Sequence, residues 1–217
     1  MHIPDGFIAP QVYLPAYAVA AVGWVIVLRR LRNTLDETTL PRLAVLTALS
    51  FVLMMVAIPL PGGTTVHAEG IALLAVNFGI ATAFFAATVV LGLQALMFGA
   101  GGVTALPVNA IAIGLVGASV AVLVHRLAGK RFESAGLFAA GWCAVVVSSL
   151  VVATVLGLQP SLAHDEAGVP LFFPFGLDVT LSAVVLPHLL VGVGEGALTL
   201  GVTRLLRRLQ GSGGGRL

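Results

Sequence analysis

The chain has 217 residues, of which 59% are hydrophobic and only 9% are charged, and its formal net charge is +2. This composition excludes a water-soluble globular protein, because water could not solvate so apolar a surface. It also argues against a nucleic-acid partner, because the basic residues fall into short clusters that flank apolar segments. The composition therefore predicts an all-α integral membrane protein.

The N-terminal segment MHIPDGF combines metal donors with turn residues. A bulky His2 blocks removal of the initiator Met1, so we expect the mature protein to begin as written. The α-amine, the next peptide nitrogen and the imidazole of His2 can then close two fused chelate rings in one plane. A flat, nitrogen-rich site suits Ni(II) or Cu(II). Pro4, Asp5 and Gly6 indicate an ordered loop before the first helix, and the basic region of a signal peptide is missing.

Several apolar segments are long enough to span a membrane as helices. Five of them read as single spans: 12–31, 42–59, 105–125, 135–157 and 179–203. The region 69–98 is either one long tilted span or two short ones, with a break near Asn77 and Gly79. We interpret residues 1–210 as one transmembrane domain and residues 211–217 as a flexible tail.

The basic clusters favour two spans in the region 69–98, which gives about seven in all. With the cluster at 29–42 in the cytoplasm, the clusters at 126–131 and 204–208 also become cytoplasmic, as the positive-inside rule requires. Six spans remain the alternative. The seven-span topology predicts a multi-pass protein of a prokaryotic inner membrane with an extracytoplasmic N-terminus. The outer side then carries acidic residues, which concentrate cations: Asp5, Glu69, Asp165, Glu166 and Asp178.

Three nitrogens from Met1 and His2 leave one corner of a square plane open, and His67 is the main candidate for it. His67 follows a Gly- and Thr-rich loop that the topology places on the same side as the N-terminus. Glu69 is close enough in sequence to orient His67, as carboxylates near metal ligands do. The alternative is that His67 caps the following helix or faces solvent.

Four sequence runs carry a family resemblance: MHIPDGF, GGTTVHAEG, LGLQALMFGAGGVTALPVNAIAIGLVG and FPFGLDVTLSAVVLPHLLVGVGEGALT. In this order they resemble the substrate-binding membrane subunit of energy-coupling-factor cobalt and nickel transporters. The resemblance implies high-affinity capture of Co(II) or Ni(II) by Met1, His2 and His67, with the metal as substrate and no resident cofactor. It also implies partners, namely a transmembrane coupling subunit, ATPase subunits and a small accessory membrane subunit, besides membrane lipid.

Further polar residues lie within the apolar segments. Gln94 and Asn109 match polar positions of the family's central motif, so they either pin the N-terminal loop near the metal or make helix–helix contacts. Ala100 stands where many relatives have a histidine, so a histidine on the access path is missing here. His188 and Glu195 share one helix face. We expect Glu195 to lie near the inner half of its span, far from the metal site.

Two other functions are consistent with parts of the sequence. An intramembrane hydrolase could pair Ser119 with His188, and a metal-sensing receptor could use the same metal ligands without transport. The sequence contains neither the H-E-x-x-H zinc motif nor the G-x-x-x-x-G-K-[ST] phosphate loop. We therefore expect a transporter subunit that does not hydrolyse ATP itself.

Overall fold

The computed structural model describes residues 2–32, 36–60 and 65–213. Helices dominate this part of the chain, with one short antiparallel hairpin between the second and third helices. The helices are α1 Pro10–Leu31, α2 Thr39–Met55, α3 Ile71–Phe78, α4 Ile80–Leu93, α5 Leu106–Asn109, α6 Ala118–Ala128, α7 Glu133–Gly157, α8 Gln159–Leu162 and α9 Leu177–Gly213. The strands are β1 Ile58–Pro59 and β2 Thr65–Val66. A π-helical turn, Gln94–Phe98, extends α4, and another, Ala110–Gly117, joins α5 to α6.

Local sequence determines where the first helices begin. Pro10 occupies the first turn of α1, where its missing N–H costs nothing and its fixed φ suits a helix. Before α2, the Asp36 carboxylate accepts hydrogen bonds from the backbone N–H groups of Thr38 (3.1 Å) and Thr39 (2.6 Å). These bonds, with those from the two hydroxyls, lower the pKa of Asp36 to about 2.

The helices lie close to the predicted spans along the chain. Five of them, counting α4 and α6 with the turns that extend them, are long and apolar enough to cross a membrane. The helix α2, with 17 residues, is shorter and ends at Met55, because the chain turns into β1 at Ile58 rather than continuing to Pro59. The helix α9 continues to Gly213, into the segment predicted to be a tail; residues 214–217 lie outside the described part. The prediction of a multi-pass, all-helical membrane protein is confirmed, and the count of seven spans stays a prediction.

The region 69–98 breaks at Gly79, where the chain reverses direction. Gly79 has φ +85°, which favours glycine, and it both ends α3 and begins α4. Asn77 donates a hydrogen bond to Thr203 near the end of α9, so α3 runs towards the basic end of the bundle. There a cavity of about 500 Å³ is lined by the break and by Arg30 and Arg126.

The helices α7 and α9 pack with their backbones in close contact. A Cβ atom at Gly141 would lie 2.5 Å from the Glu195 carbonyl oxygen, and one at Gly196 would lie 2.6 Å from the Phe138 carbonyl oxygen. Both approaches are possible only for glycine. At the basic end the same two helices are joined by an ion pair between Glu133 and Arg207. The α7–α9 pair therefore forms a tightly fixed wall of the bundle.

Candidate metal centre

The N-terminal segment inserts between the ends of the helices. Ile3, Ile8 and Ala9 are almost completely buried. Asn109, itself buried, bonds both backbone groups of Ile3: the Ile3 N–H donates to Asn109 Oδ1 (3.0 Å) and Asn109 Nδ2 donates to the Ile3 carbonyl (3.0 Å). The Ala9 N–H donates to the buried Gln159 side chain at 2.9 Å. Of the two roles predicted for Asn109, the structure therefore shows the one in which its side chain contacts the N-terminal loop.

Asp5 fixes the same segment to the loop after α4. Its carboxylate accepts hydrogen bonds from the backbone N–H groups of Val103 (3.0 Å) and Thr104 (2.8 Å) and from the Thr104 hydroxyl. The hydroxyl bond contributes most to lowering the pKa of Asp5. A Cβ atom at Gly102 would lie 2.4 Å from the Asp5 nitrogen, and one at Gly101 would lie 3.2 Å from His2 Cβ. These two glycines thus provide the space that the N-terminal segment occupies.

His67 lies in the short extended segment between β2 and α3. Its side chain is buried, and its Nδ1 lies 3.2 Å from the Ala68 carbonyl oxygen. When Nδ1–H donates to that carbonyl, the lone pair is on Nε2, the form in which an imidazole binds a metal. The orienting acceptor is thus the Ala68 carbonyl, whereas the prediction gave this role to Glu69.

The structure brings His2 and His67 together. Their ring centroids are 4.5 Å apart and the planes are tilted by 52°. His2 Nε2 is buried and has no hydrogen-bond partner. Burial, followed by the charge of His67, lowers the pKa of His2 well below its ordinary value, and burial lowers the pKa of His67 to about 3. Both imidazoles are therefore neutral at physiological pH, as metal ligands must be.

The third predicted ligand, Met1, lies outside the described residues. Within residues 2–32, 36–60 and 65–213, no three His, Cys, Asp or Glu side chains are gathered as they would be around one metal ion. Two imidazoles alone do not complete a metal site. A metal held by His2 and His67 would therefore need further donors besides these two imidazoles.

Glu195 corrects one expectation. The sequence analysis placed it far from the site, but its carboxyl accepts hydrogen bonds from the backbone N–H groups of Glu69 and Gly70, the latter at 3.0 Å. Gly70 begins α3 with φ +68° and no capping side chain of its own segment, so Glu195 caps this helix from a neighbouring one. The reason is that the residues leading into α3 are not helical, so residues 69 and 70 lie beside the middle of α9.

Glu69 is buried against Glu195. Burial, followed by the negative charge of Glu195, raises the pKa of Glu69 well above its ordinary value. Its Oε1 is enclosed and has no hydrogen-bond partner. The observed contact of Glu69 with α9 is therefore made by its backbone N–H and not by its side chain.

Gln94 and Ala100 lie near the loop after α4. Gln94 is buried and its Nε2 donates to the Phe51 carbonyl at 3.3 Å, so it makes the helix–helix contact that was one of its two predicted roles. The Ala100 N–H donates to the Gln94 carbonyl at 3.1 Å. The effect of alanine at position 100 on metal binding stays a prediction.

The serine–histidine pair of the hydrolase alternative is not formed. The Ser119 hydroxyl donates to the Leu115 carbonyl of its own helix, and His188 Nδ1 lies 2.6 Å from the Val184 carbonyl of its own helix. No hydrogen bond joins these two described side chains. The structure therefore provides no activated nucleophile at this position.

The sequence analysis missed the positioning roles of Asp5, Gln159 and Glu195. Asp5 was interpreted as a turn residue and as part of an acidic mouth, and Gln159 was not considered. A usable signal was present for two of them: a buried polar residue in an apolar segment needs a partner. Gln159 and Glu195 both meet that condition.

The chain is similar to transport proteins along almost its whole length. Residues 2–212 match the family model CbiM, described as the cobalt uptake substrate-specific transmembrane region. The fused nickel transport protein NikMN of Rhodobacter capsulatus is 38% identical over 217 residues, which cover 96% of this chain and 62% of that protein. The probable fused nickel transport protein LarMN of Lactiplantibacillus plantarum is also 38% identical, over 96% of this chain and 65% of that protein. The chain thus spans slightly less than two thirds of these fused relatives.

A solved structure has the same fold. The crystal structure of a truncated transition metal transporter superposes with a TM-score of 0.91 at 33% sequence identity, covering 96% of this chain and 99% of that one. Because the family model spans nearly all residues, and as the four sequence runs predicted, this protein belongs to the CbiM family of cobalt uptake substrate-specific transmembrane regions.

Proposed function

We propose that the chain captures Ni(II) or Co(II) with four nitrogens: the amine of Met1, the peptide nitrogen and imidazole of His2, and Nε2 of His67. The observation that carries this proposal is the contact of the two neutral imidazoles at 4.5 Å, next to the start of the chain. The hydrogen bonds of Asn109 and Asp5 support it, because they hold the segment that would deliver the amine.

The chemistry of the donors favours a planar site. The amine and peptide nitrogen close a five-membered ring with the metal, and the peptide nitrogen and His2 Nδ1 close a six-membered one. Four nitrogens in a plane suit Ni(II) best among the divalent ions of this pair. Co(II) is the second substrate of the proposal, because the family description names cobalt and the similar fused proteins are named for nickel. The metal is the cargo, so no resident cofactor is proposed.

We place the site on the extracytoplasmic side. The segments around it carry acidic residues, whereas Arg30 and Arg126 lie together at the opposite end of the bundle, as the positive-inside rule requires for the cytoplasmic side. Uptake then proceeds from the outside inwards. In this proposal the chain is the substrate-binding subunit of an energy-coupling-factor transporter, and a transmembrane coupling subunit, ATPase subunits and a small accessory subunit supply the energy.

The test is metal titration of the purified full chain in detergent, with Met1 as the first residue. The native protein should bind Ni(II) with high affinity, and one extra residue before Met1 should abolish this binding, because it displaces the amine from the chelate. His67→Ala should weaken binding severely. His164→Ala is the matched control, since His164 is exposed in a loop and pairs only with local backbone.

Two outcomes would refute the proposal. Undiminished binding by the extended protein would exclude the amine, and equal small effects of His67→Ala and His164→Ala would exclude His67. The loop that carries Asp165 and Glu166 is then the competing metal site. Its Asp165 already accepts hydrogen bonds from the backbone N–H groups of Ala167 (2.9 Å) and Val169 (2.8 Å), which fits a structural role in its own turn.

A further inference from the structure

His188, on α9, is a third buried imidazole that the proposed metal site does not use. It is 2% exposed. Its Nδ1 lies 2.6 Å from the Val184 carbonyl oxygen, and its Nε2 is buried without any hydrogen-bond partner. A carbonyl only accepts hydrogen bonds, so the proton is on Nδ1 and the lone pair is on Nε2. This is the metal-binding form of histidine, held in place by a backbone carbonyl.

Two hydrogen bonds show which part of the chain lies beside His188. The Gly70 N–H donates a hydrogen bond to the Glu195 carboxyl, and the Asn77 side chain, seven residues later, donates one to the Thr203 hydroxyl. The segment from 70 to 77 therefore runs alongside α9 in the same direction. Traced backwards, the extended residues before Gly70 run towards the beginning of α9.

Distances along the two segments agree. His188 is seven residues before Glu195, hence about 10.5 Å along the same helix face. His67 is three residues before Gly70, which allows a separation of at most roughly 10 Å along the chain. His67 and His188 thus lie at about the same level, and the charge of His188 is one of the smaller causes, after burial, of the lowered pKa of His67. His2 contacts His67 from the side of the N-terminus.

We propose that His188 Nε2 is an inner metal ligand, which takes over an Ni(II) or Co(II) ion held by His67 when the ion leaves the N-terminal chelate. No three ligand side chains are gathered at one point in the described residues, so His188 acts after His2 and not together with it. His67 is then the shared ligand of an outer pair with His2 and an inner pair with His188. This inference rests on the proposed capture of metal by Met1, His2 and His67.

The transfer is a ligand exchange without change of oxidation state. The lone pair of His188 Nε2 forms a bond to the metal as the bond to His2 Nδ1 breaks. The peptide nitrogen and the amine are then released and take up protons from water, and water molecules occupy the two metal positions that they leave. Such a stepwise route matters for a transporter, because a chelate of fused rings dissociates slowly unless an incoming donor replaces each outgoing one.

The test counts imidazoles around Cu(II), used as a paramagnetic probe, by pulsed electron paramagnetic resonance of the full chain. The native protein should show two imidazoles, from His2 and His67. His2→Gln should still show two, because His188 replaces His2, and adding His188→Asn should reduce the count to one. Gln is chosen at position 2 because a bulky residue there retains Met1, and Asn at position 188 because its amide can still donate to the Val184 carbonyl. In the His2→Gln background, His188→Asn should also weaken Ni(II) binding by about tenfold or more, whereas His164→Ala should leave it unchanged.

The outcomes separate the two proposals. If the native protein binds neither probe, the capture site is wrong. If the native protein shows two imidazoles but His2→Gln shows one, the capture site stands and the inner ligand is refuted. Should the His188→Asn protein fail to fold, the pair His2→Gln and His2→Gln/His67→Ala decides instead: counts of two and one support the inner ligand, and counts of one and none refute it.

Discussion

Substitution of Glu195 tests how the position of His67 is maintained. Glu195→Ala removes the acceptor of the Glu69 and Gly70 N–H groups, which begin α3 just after His67. Both N–H groups then remain buried without a partner, since Gly70 has no local capping side chain. We expect the loop to leave its position and the affinity for Ni(II) to fall, although the bundle still folds.

The structure gives the magnitude of this effect. A hydrogen bond to a charged group contributes about 1.5–3 kcal/mol, so the two bonds together hold the loop by about 3–6 kcal/mol. The β1–β2 hairpin anchors the other side of the loop and retains part of its order. If about half of the loss, about 1.5–3 kcal/mol, appears in metal binding, the dissociation constant rises by about 10- to 150-fold.

The assay is competition for Ni(II) against a chelator of known affinity, together with a thermal melt. Glu195→Gln retains an acceptor oxygen of the same reach, and it should recover most of the affinity. Thr199→Val is the matched control, because Thr199 is buried one turn further along α9 and its hydroxyl has no partner. Equal affinities of the Ala and native proteins would refute the reasoning, as would equal losses for Glu195→Ala and Thr199→Val.

Three further predictions concern the N-terminal segment. Gly102→Ala places a Cβ atom 2.4 Å from the Asp5 nitrogen, so Ni(II) affinity should fall at least tenfold, whereas Gly92→Ala, with nothing within 4 Å, should change it little, as measured by the same competition. Asn109→Asp keeps the acceptor for the Ile3 N–H but loses the donor to its carbonyl; a cost of about 1 kcal/mol should weaken binding about fivefold. Affinity should fall by about three to four orders of magnitude from pH 7.5 to 5.5, because each of the two displaced protons contributes up to about tenfold per pH unit. The lowered pKa of His67, about 3, keeps its imidazole neutral over this range, so the competing protons are those of the amine, whose ordinary pKa is about 7.7–8.0, and of the peptide nitrogen. A flat profile in a pH titration would contradict this assignment.

The spans could be predicted from the sequence because the membrane imposes long apolar runs and segregates the basic residues. The break near Asn77 and Gly79 could be predicted for the same reason, since only a reversal there puts all basic clusters on one side. The non-helical backbone that leads into α3 could not be predicted. Nothing in the composition of the residues before Ile71 indicates that they remain extended, because their backbone groups are satisfied by Glu195, more than a hundred residues later.

The proposed metal site could be predicted where it depends on residues that are close together in the sequence. His2 follows Met1 directly, and the topology brings His67 to the same end of the molecule. The supporting contacts depend on distant pairs such as Asn109 with Ile3 and Gln159 with Ala9, whose partners are backbone groups. Backbone groups occur at every residue, so a sequence alone shows that a buried polar side chain needs a partner but not which residue provides it.

The extended segment around His67 explains why the metal site depends on α9. Irregular backbone at membrane depth is stable only where protein satisfies its polar groups, and here Glu195 does so for the two residues that begin α3. The helix α9 is in turn fixed to α7 by glycine contacts at the level of Glu195, where a Cβ atom at Gly141 would lie 2.5 Å from the backbone. His67 therefore takes its position from the α7–α9 pair. His2, in contrast, takes its position from the loop after α4 and from Asn109 of α5. In the proposed site, the two imidazoles are therefore held by separate parts of the molecule.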